Sequence, residues 1–226
     1  MVIEMEELLK KLNIKPSNIE LYKQAFTHSS YAYEHDLSNS YETLEFLGDA
    51  IVDAIISDYL YNSKKYAEGE MTKIRASYVC ENALYEYATN LEFSKYILVG
   101  KGEERSGGKH KKAITADIFE AFIAAIYLDH GYEKTKDITL KIILPYIENK
   151  NILLFNDYKS VLQEAVQTNQ KSLHYELLSE SGPAHNRMFE AAVIINDITY
   201  GIGLGVSKKE AEQEAAKKAL EKLAKE

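Results

Sequence analysis

The fold of the N-terminal half is decided by residues 41–60, which read YETLEFLGDAIVDAIISDYL. At about 100° per residue, an α-helix over this stretch brings its acids to within about 80° of one another. The acids on this stripe are Glu42, Glu45, Asp49 and Asp53. The remaining circumference is almost entirely apolar, which is typical of a helix that is buried on nearly every side. Carboxylates on a buried stripe repel one another unless a cation lies among them.

A second apolar helix is predicted over Ile114–Leu128, and it carries an acid pair of its own. Asp117 and Glu120 lie three residues apart, so they share one face of that helix. Ligands made only of oxygen suit Mg²⁺ or Mn²⁺, which bind carboxylates, water and phosphate oxygens. Such a centre serves metal-assisted displacement at phosphorus. The alternative is that each acidic stripe is only the solvated side of an amphipathic helix.

The spacing of apolar residues divides the chain into two regions. Residues 1–148 are predicted to form an all-α domain, because no alternating β-branched pattern competes with the helical one. A polar stretch followed by a short apolar patch is assigned to a linker at residues 149–156, before a small α+β domain at residues 157–226. The helices predicted in the first region are Ile3–Leu12, Glu42–Tyr61, Glu70–Leu91, Lys111–Asp129 and Lys134–Ile147.

The C-terminal region has the predicted order α-β-β-β-α. Its first helix is expected at Asp157–Thr168, and a tight turn at Asn196–Asp197 joins the second and third strands. A final helix runs from Lys208 to about Ala224, after an S-x-x-E capping box that marks its start. The capping box is formed by Ser207 and Glu210, and the strands are Leu173–Ser179, Met188–Ile195 and Ile198–Val206.

Composition and charge limit the classes of protein that this chain can be. Its single cysteine, Cys80, excludes an intramolecular disulfide and a cysteine-based zinc site. No apolar run approaches the ~20 residues that span a bilayer, and the first residues lack a signal-peptide core. These features predict a soluble, cytoplasmic protein without a membrane partner. The net charge of −8 argues against a nucleic-acid partner unless cations are concentrated locally.

Two sets of motifs resemble those of the bacterial ribonuclease III family. Residues 42–49, ETLEFLGD, resemble the signature of that family, and residues 116–121, ADIFEA, resemble its second acidic motif. The C-terminal region resembles the double-stranded-RNA-binding domain found in the same family, over residues 157–164, 182–185 and 207–216. Tyr41 and Thr43 depart from the commonest signature, which has Asn and Arg there, and this bears on local packing and RNA contact.

The resemblance implies a catalytic centre built from acids around a divalent metal, Mg²⁺ with Mn²⁺ as a substitute. The acids that would surround the metal are Glu45, Asp49, Asp117 and Glu120. Asp49 and Glu120 would be the most directly catalytic. Glu42 and Glu68 resemble two further acids that line the same valley.

The resemblance also implies a homodimer. Phe46 resembles a residue that inserts into the partner subunit of this dimer. Two catalytic sites related by the dimer axis would each cut one strand, which explains a staggered break. The alternative for Phe46 is ordinary packing in the core of its own chain.

Contacts with RNA are expected in both domains. A domain of the C-terminal kind contacts two minor grooves and the phosphates between them, across ~16 base pairs. The expected minor-groove residues are Ser160, Gln163 and Glu164 for one groove and His185 for the other. The expected phosphate contacts are Lys208, Lys209 and Gln213, at the start of the last helix. A basic run of Arg105, Lys109, Lys111 and Lys112 would bring cations to the mouth of the acidic valley. The alternative for these side chains is a solvated surface.

The leading hypothesis is a Mg²⁺-dependent endoribonuclease that hydrolyses both strands of double-stranded RNA and needs no organic cofactor. By resemblance, the products carry 5′-phosphate and 3′-hydroxyl ends with short 3′ overhangs. The substrates would be ribosomal RNA precursors and structured messages. One rival is a dimer that binds double-stranded RNA without cutting it. Another is a metal-dependent hydrolase of a different phosphoester with an RNA-binding tail.

Overall fold

The computed structural model describes residues 2–148, 158–167, 172–183 and 187–223. The chain divides into two compact units, Met1–Leu154 and Phe155–Glu226. The predicted linker at residues 149–156 lies outside the described residues, and so do Asp157 and His185. The position of the boundary between the two domains therefore stays a prediction.

Residues 2–148 form a helical unit, as predicted. Its helices are α1 Val2–Lys11, α2 Ile19–Ala25, α3 Ser29–Glu34, α4 Glu42–Ser63, α5 Glu68–Tyr78, α6 Glu81–Asn90, α7 Lys101–Arg105, α8 Lys112–His130 and α9 Tyr132–Glu148. Two short 3₁₀ turns, Phe93–Lys95 and Gly108–His110, flank α7. None of the helices described in the two units combines the length and the apolar character needed to cross a membrane.

The predicted helix Glu70–Leu91 is wrong as a single element. The chain turns at Val79 and Cys80, where Cys80 is extended, so that α5 and α6 are separate helices. The carbonyl of Tyr78, left free by the end of α5, accepts a hydrogen bond from the Tyr87 hydroxyl at 3.1 Å. Helices α2, α3 and α7 were not predicted, because segments of five to seven residues are too short to show a helical period.

Helix α8 lies at the centre of this unit. It is buried from Ile118 to Ile126 except at Glu120, and it packs against α2, α4, α6 and α9. Phe93 contacts Phe122 and Phe26 edge to face, with ring centroids 5.2 and 4.8 Å apart. Because aromatic packing of this kind fixes side chains and backbone alike, α8 is a rigid support for the acids it carries.

Asp129, near the end of α8, joins that helix to the start of α2. Its side chain is 2% exposed. It accepts hydrogen bonds from the backbone N–H groups of Ser17 and Asn18 and from the Tyr22 hydroxyl, each at 3.0 Å. The carboxylate therefore accepts from the loop before α2 and from α2 itself, and these bonds fix α2 against α8.

The C-terminal unit has the predicted α-β-β-β-α order. Its elements are α10 Tyr158–Gln167, β1 Leu173–Ser181, β2 Met188–Ile195, β3 Ile198–Gly205 and α11 Lys208–Leu223. The three strands form one antiparallel sheet in the order β1-β2-β3, with Tyr175 opposite Val193 and Val193 opposite Gly201. Asn196 and Asp197 both have positive φ, 48° and 65°, as the tight turn between β2 and β3 requires.

Strand β3 and helix α11 touch backbone to backbone. A Cβ added at Gly201 would lie 2.2 Å from the carbonyl oxygen of Ala215, and one at Gly203 would lie 2.2 Å from that of Ala211. Ala211 and Ala215 are themselves buried in this contact. The alternate glycines of β3 are therefore needed for the helix to lie on the sheet.

The start of α11 is capped, with one difference from the prediction. The Ser207 hydroxyl accepts from the N–H of Glu210 at 3.2 Å, as a capping box requires. The Glu210 carboxylate, however, accepts from the N–H of Val206 at 2.9 Å, one residue before the cap. The capped turn fixes the position of the two lysines that follow Ser207.

Candidate functional site

The two acidic helices meet at Gly48. A Cβ added there would lie 2.0 Å from the carbonyl oxygen of Glu120 and 2.4 Å from its carbonyl carbon. Helices α4 and α8 therefore touch backbone to backbone at this point. Because Glu45 and Asp49 lie within one turn of Gly48, the contact brings the acids of both helices together.

Burial and neighbouring carboxylates raise the pKa of Glu120 and of Glu45. Burial raises the pKa of Glu120 most, and the charges of Asp49, Glu45 and Asp117 raise it further, to about 8. Burial also raises the pKa of Glu45, and the neighbouring charges of Asp117, Glu42 and Asp49 add to it. These side chains form one electrostatic cluster, which a bound cation would relieve.

Asp117 differs from the other acids because it has a hydrogen-bond donor. Burial raises its pKa, and the hydrogen bond from the Tyr41 hydroxyl, 3.1 Å from Oδ2, opposes that rise. In the sequence, Tyr41 stands out only as a departure from a signature. Its contact with Asp117 joins residues 76 positions apart, so no local pattern could have revealed it.

Glu68 is not brought to this cluster within one chain. It lies at the start of α5, in a cleft that it shares with Ser57 and Tyr61 at the far end of α4, and it accepts a hydrogen bond from the Thr72 hydroxyl. Tyr61 is about 18 Å from Asp49 along the helix axis. The place of Glu68 in the acidic valley stays a prediction.

The donor set around Glu120 suits a hard divalent cation. Every donor is a carboxylate oxygen, the ligand type that Mg²⁺ and Mn²⁺ prefer. Across the described residues, no three His, Cys, Asp or Glu side chains already close around one metal position. Mg²⁺ needs no such cage, because it keeps several waters and takes one or two carboxylates directly. The acids present therefore fit this cofactor.

Phe46 lies on the outside of the nuclease unit. Its side chain is 84% exposed, next to Glu45 on α4. The alternative of packing in the core of its own chain is therefore wrong. A large aromatic side chain in this position is available for contact with another molecule.

The basic run before α8 is partly neutralised by its own surroundings. Lys111 pairs with Glu103 at 2.6 Å, and Lys109 pairs with Glu104 at 3.1 Å. Both glutamates belong to α7. These ion pairs hold Lys109 and Lys111 against α7, while Arg105 and Lys112 are exposed, and the RNA contact expected of the run stays a prediction.

The predicted RNA-binding residues of the C-terminal unit fall into three groups. Lys208 and Lys209 are exposed in the first turn of α11, and Gln163 is exposed on α10. Gln213 has an internal contact, since its Oε1 accepts from the N–H of Lys159 at 3.1 Å and ties α10 to α11. Ser160 and Glu164 lie on α10, but the structure does not describe their side chains. His185 lies outside the described residues.

Lys159 is a residue of this surface that the sequence did not single out. Its ammonium group pairs with Glu212 at 2.5 Å and lies 4.5 Å from the centre of the Tyr175 ring. These contacts hold α10 against α11 and the sheet. Nothing in the spacing of the charges distinguishes this lysine from a solvated one.

Comparison with known proteins identifies the chain. Residues 18–147, which include both acidic helices, match the family model described as Ribonuclease-III-like. The chain belongs to the ribonuclease III family. Residues 158–223 match the model described as Double-stranded RNA binding motif. This ribonuclease III is therefore an endoribonuclease that acts on double-stranded RNA, in a family that depends on divalent metal ions.

Relatives extend over both units. Ribonuclease 3 from Listeria monocytogenes is 49% identical over 226 residues, which cover 97% of this chain and 98% of that protein. Ribonuclease 3 from Halalkalibacterium halodurans is 47% identical over 95% of this chain and 83% of its own length. The solved nuclease domain of ribonuclease III from Campylobacter jejuni superposes with a TM-score of 0.58 and is 37% identical. It covers 62% of this chain and 96% of its own.

Proposed function

We propose that this ribonuclease III uses Mg²⁺, with Mn²⁺ as a substitute, to hydrolyse phosphodiester bonds in both strands of double-stranded RNA. The products carry 5′-phosphate and 3′-hydroxyl ends with short 3′ overhangs. The proposed substrates are stem-loops in ribosomal RNA precursors and in structured messages.

The observation that carries this proposal is the backbone contact between Gly48 and Glu120. It gathers carboxylates from two helices into one electrostatic cluster, on a support that the packing of α8 makes rigid. The proposed metal ligands are Glu45, Asp49, Asp117 and Glu120. Asp49 and Glu120, which lie on either side of the contact, are proposed to act closest to the reacting phosphate, and Glu42 supports the cluster from the first turn of α4.

The chemistry follows from the charge of this cluster. A divalent cation, when bound, would lower the pKa of the attacking water and stabilise charge on the phosphodiester. The acids hold that cation and fix its position. Glu120 must lose a proton before it can bind metal, because its pKa of about 8 favours the neutral form at pH 7. Assembly of the centre is therefore coupled to deprotonation.

The C-terminal unit is proposed to supply much of the affinity for RNA. Lys208 and Lys209 lie at a helix N-terminus, where the free N–H groups and the helix dipole favour phosphate. Gln213 is proposed to offer its amide N–H groups to phosphate while Oε1 holds α10. The minor-groove contacts are proposed for Ser160, Gln163, Glu164 and His185. In the nuclease unit, the residues proposed to contact RNA are Arg105, Lys109, Lys111 and Lys112. Lys109 and Lys111 would first leave their ion pairs with the glutamates of α7 and then pair with phosphate.

A homodimer is proposed through the face that carries Phe46. Its exposed ring, adjacent to Glu45, provides an apolar contact next to the acidic cluster. The Campylobacter jejuni nuclease domain is described as flexible in a region involved in dimer formation, which supports dimerisation through the nuclease unit. Two sites related by a two-fold axis would cut the two strands separately.

A duplex-cleavage assay tests this function. A labelled duplex longer than ~16 base pairs is incubated with the protein in Mg²⁺, Ca²⁺ or EDTA, and the product ends are mapped. We expect staggered products with 5′-phosphates in Mg²⁺ and none in EDTA. Ca²⁺ serves as the control, because it binds carboxylates in looser geometry and should support binding with little cleavage. Cleavage in EDTA, or products ending in a 3′-phosphate, would contradict the proposal.

A further inference from the structure

Tyr41 lies where three parts of the acidic site meet. It comes directly before α4 and is 5% exposed. Its backbone N–H donates to the carbonyl of Thr27 at 2.9 Å, and its own carbonyl accepts from the N–H of Glu45 at 2.9 Å. The backbone of this residue therefore fixes the first turn of the helix that carries Glu45 and Asp49.

The side chain of Tyr41 reaches the second acidic helix. Its hydroxyl lies 3.1 Å from Oδ2 of Asp117 and must donate, because an ionised carboxylate can only accept. One carboxylate oxygen is engaged in this way, and Oδ1 is left for another partner. Tyr41 thus contacts both acidic helices, α4 through the backbone N–H of Glu45 and α8 through the carboxylate of Asp117.

The ring of Tyr41 is itself held in place. It packs against the imidazole of His28, with ring centroids 5.7 Å apart. That imidazole is fixed in turn, because its Nδ1 lies 2.8 Å from the Ser30 hydroxyl and accepts from the Ser30 N–H at 3.1 Å. A buried ring that packs against a fixed neighbour has little rotational freedom, so the hydroxyl is held toward Asp117.

We propose that Tyr41 is a positioning residue of the metal centre, whose hydroxyl holds Oδ2 of Asp117 and so reserves Oδ1 for the divalent cation. The inference rests on the proposed function, in which Asp117 is a metal ligand. Hydrogen bonds to ligating carboxylates fix their orientation, and their loss typically weakens metal affinity by 10–100-fold. Phenylalanine at this position keeps the packing against His28 and removes only the donor.

The test is the affinity of Tyr41→Phe for Mn²⁺ in the full-length protein without RNA, with free Mn²⁺ measured by electron paramagnetic resonance. We expect the dissociation constant to rise by about 10–100-fold. In cleavage assays, the Mg²⁺ concentration needed for half-maximal rate should rise similarly, while the rate at saturating Mg²⁺ changes much less. Duplex affinity measured in EDTA should stay the same.

Tyr87→Phe is the matched control. Tyr87 is also buried, and its hydroxyl also makes a hydrogen bond, but to the carbonyl of Tyr78 rather than to an acid. This variant should lose some stability and keep wild-type Mn²⁺ affinity. If Tyr41 acts through Asp117, then Tyr41→Phe should cause no further loss of Mn²⁺ affinity when Asp117→Asn is already present.

Three outcomes would overturn the inference. A Mn²⁺ dissociation constant for Tyr41→Phe within twofold of wild type removes the positioning role and leaves the metal centre intact. An equal loss in the Asp117→Asn background shows that Tyr41 acts on the fold rather than on this carboxylate. A wild-type protein that binds no Mn²⁺ refutes the metal centre itself, and the role of Tyr41 with it.

Discussion

Replacing Gly48 with alanine should separate the two acidic helices. The new Cβ would lie 2.0 Å from the carbonyl oxygen of Glu120, whereas real contacts of this kind stay beyond 3.0 Å. Helices α4 and α8 must therefore move apart by about 1 Å, because the obstruction is backbone rather than a flexible side chain. Overpacking of this kind costs about 1–3 kcal/mol, and a 1 Å displacement of catalytic groups costs about 100-fold in rate.

Two measurements follow the Gly48→Ala variant, urea unfolding and the rate of duplex cleavage in saturating Mg²⁺. Gly69→Ala is the control, because Gly69 lies inside α5 and a Cβ there meets nothing within 4 Å. That control should gain up to about 0.5 kcal/mol, since alanine is the better helix former and Gly69 lies in the first turn, and it should cleave normally. Wild-type stability together with wild-type cleavage in Gly48→Ala would refute the reasoning that this contact builds the site.

Four further predictions concern charged residues. Glu120→Gln should reduce cleavage by orders of magnitude with little change in duplex affinity. In the wild type, Glu120 holds a proton below its pKa of about 8, so Mg²⁺ affinity measured by calorimetry should fall as the pH drops below that value, by up to about tenfold per unit. Lys208→Ala with Lys209→Ala should weaken binding of unrelated duplexes equally and reduce the salt dependence by roughly one unit of slope per lost phosphate contact. Asp129→Ala removes the acceptor of the buried Tyr22 hydroxyl and of two exposed N–H groups, and should lower the free energy of unfolding by about 1–3 kcal/mol, as measured in urea.

The parts of the fold that sequence could predict are those with a local period. The acidic stripe of α4 and the pair on α8 follow from spacing alone, and so do the three strands with their turn at Asn196–Asp197. The break at Cys80 was not predicted, because an apolar period continues across it and no glycine or proline marks the end of α5.

The parts of the site that sequence could not predict depend on contacts between distant residues. The role of Gly48 requires knowing that the backbone of Glu120 lies against it, and the role of Tyr41 requires its bond to Asp117. The ion pairs of Lys109 and Lys111 with the glutamates of α7 are local, but they form through a turn at Gly107 that the sequence analysis did not predict.

The face of β3 that carries Gly201 and Gly203 makes the docking of α11 depend on the strand register of the RNA-binding domain. A slip of one residue would exchange the two faces of the strand and bring Ile202 and Leu204 beneath α11. The backbone of α11 leaves no room even for a Cβ at Gly201 or Gly203, and so none for these larger side chains. The helix can therefore dock only when the strands are paired in the observed register. Because Lys208 and Lys209 belong to the first turn of that helix, the position of the proposed phosphate contacts depends on the register of the hairpin.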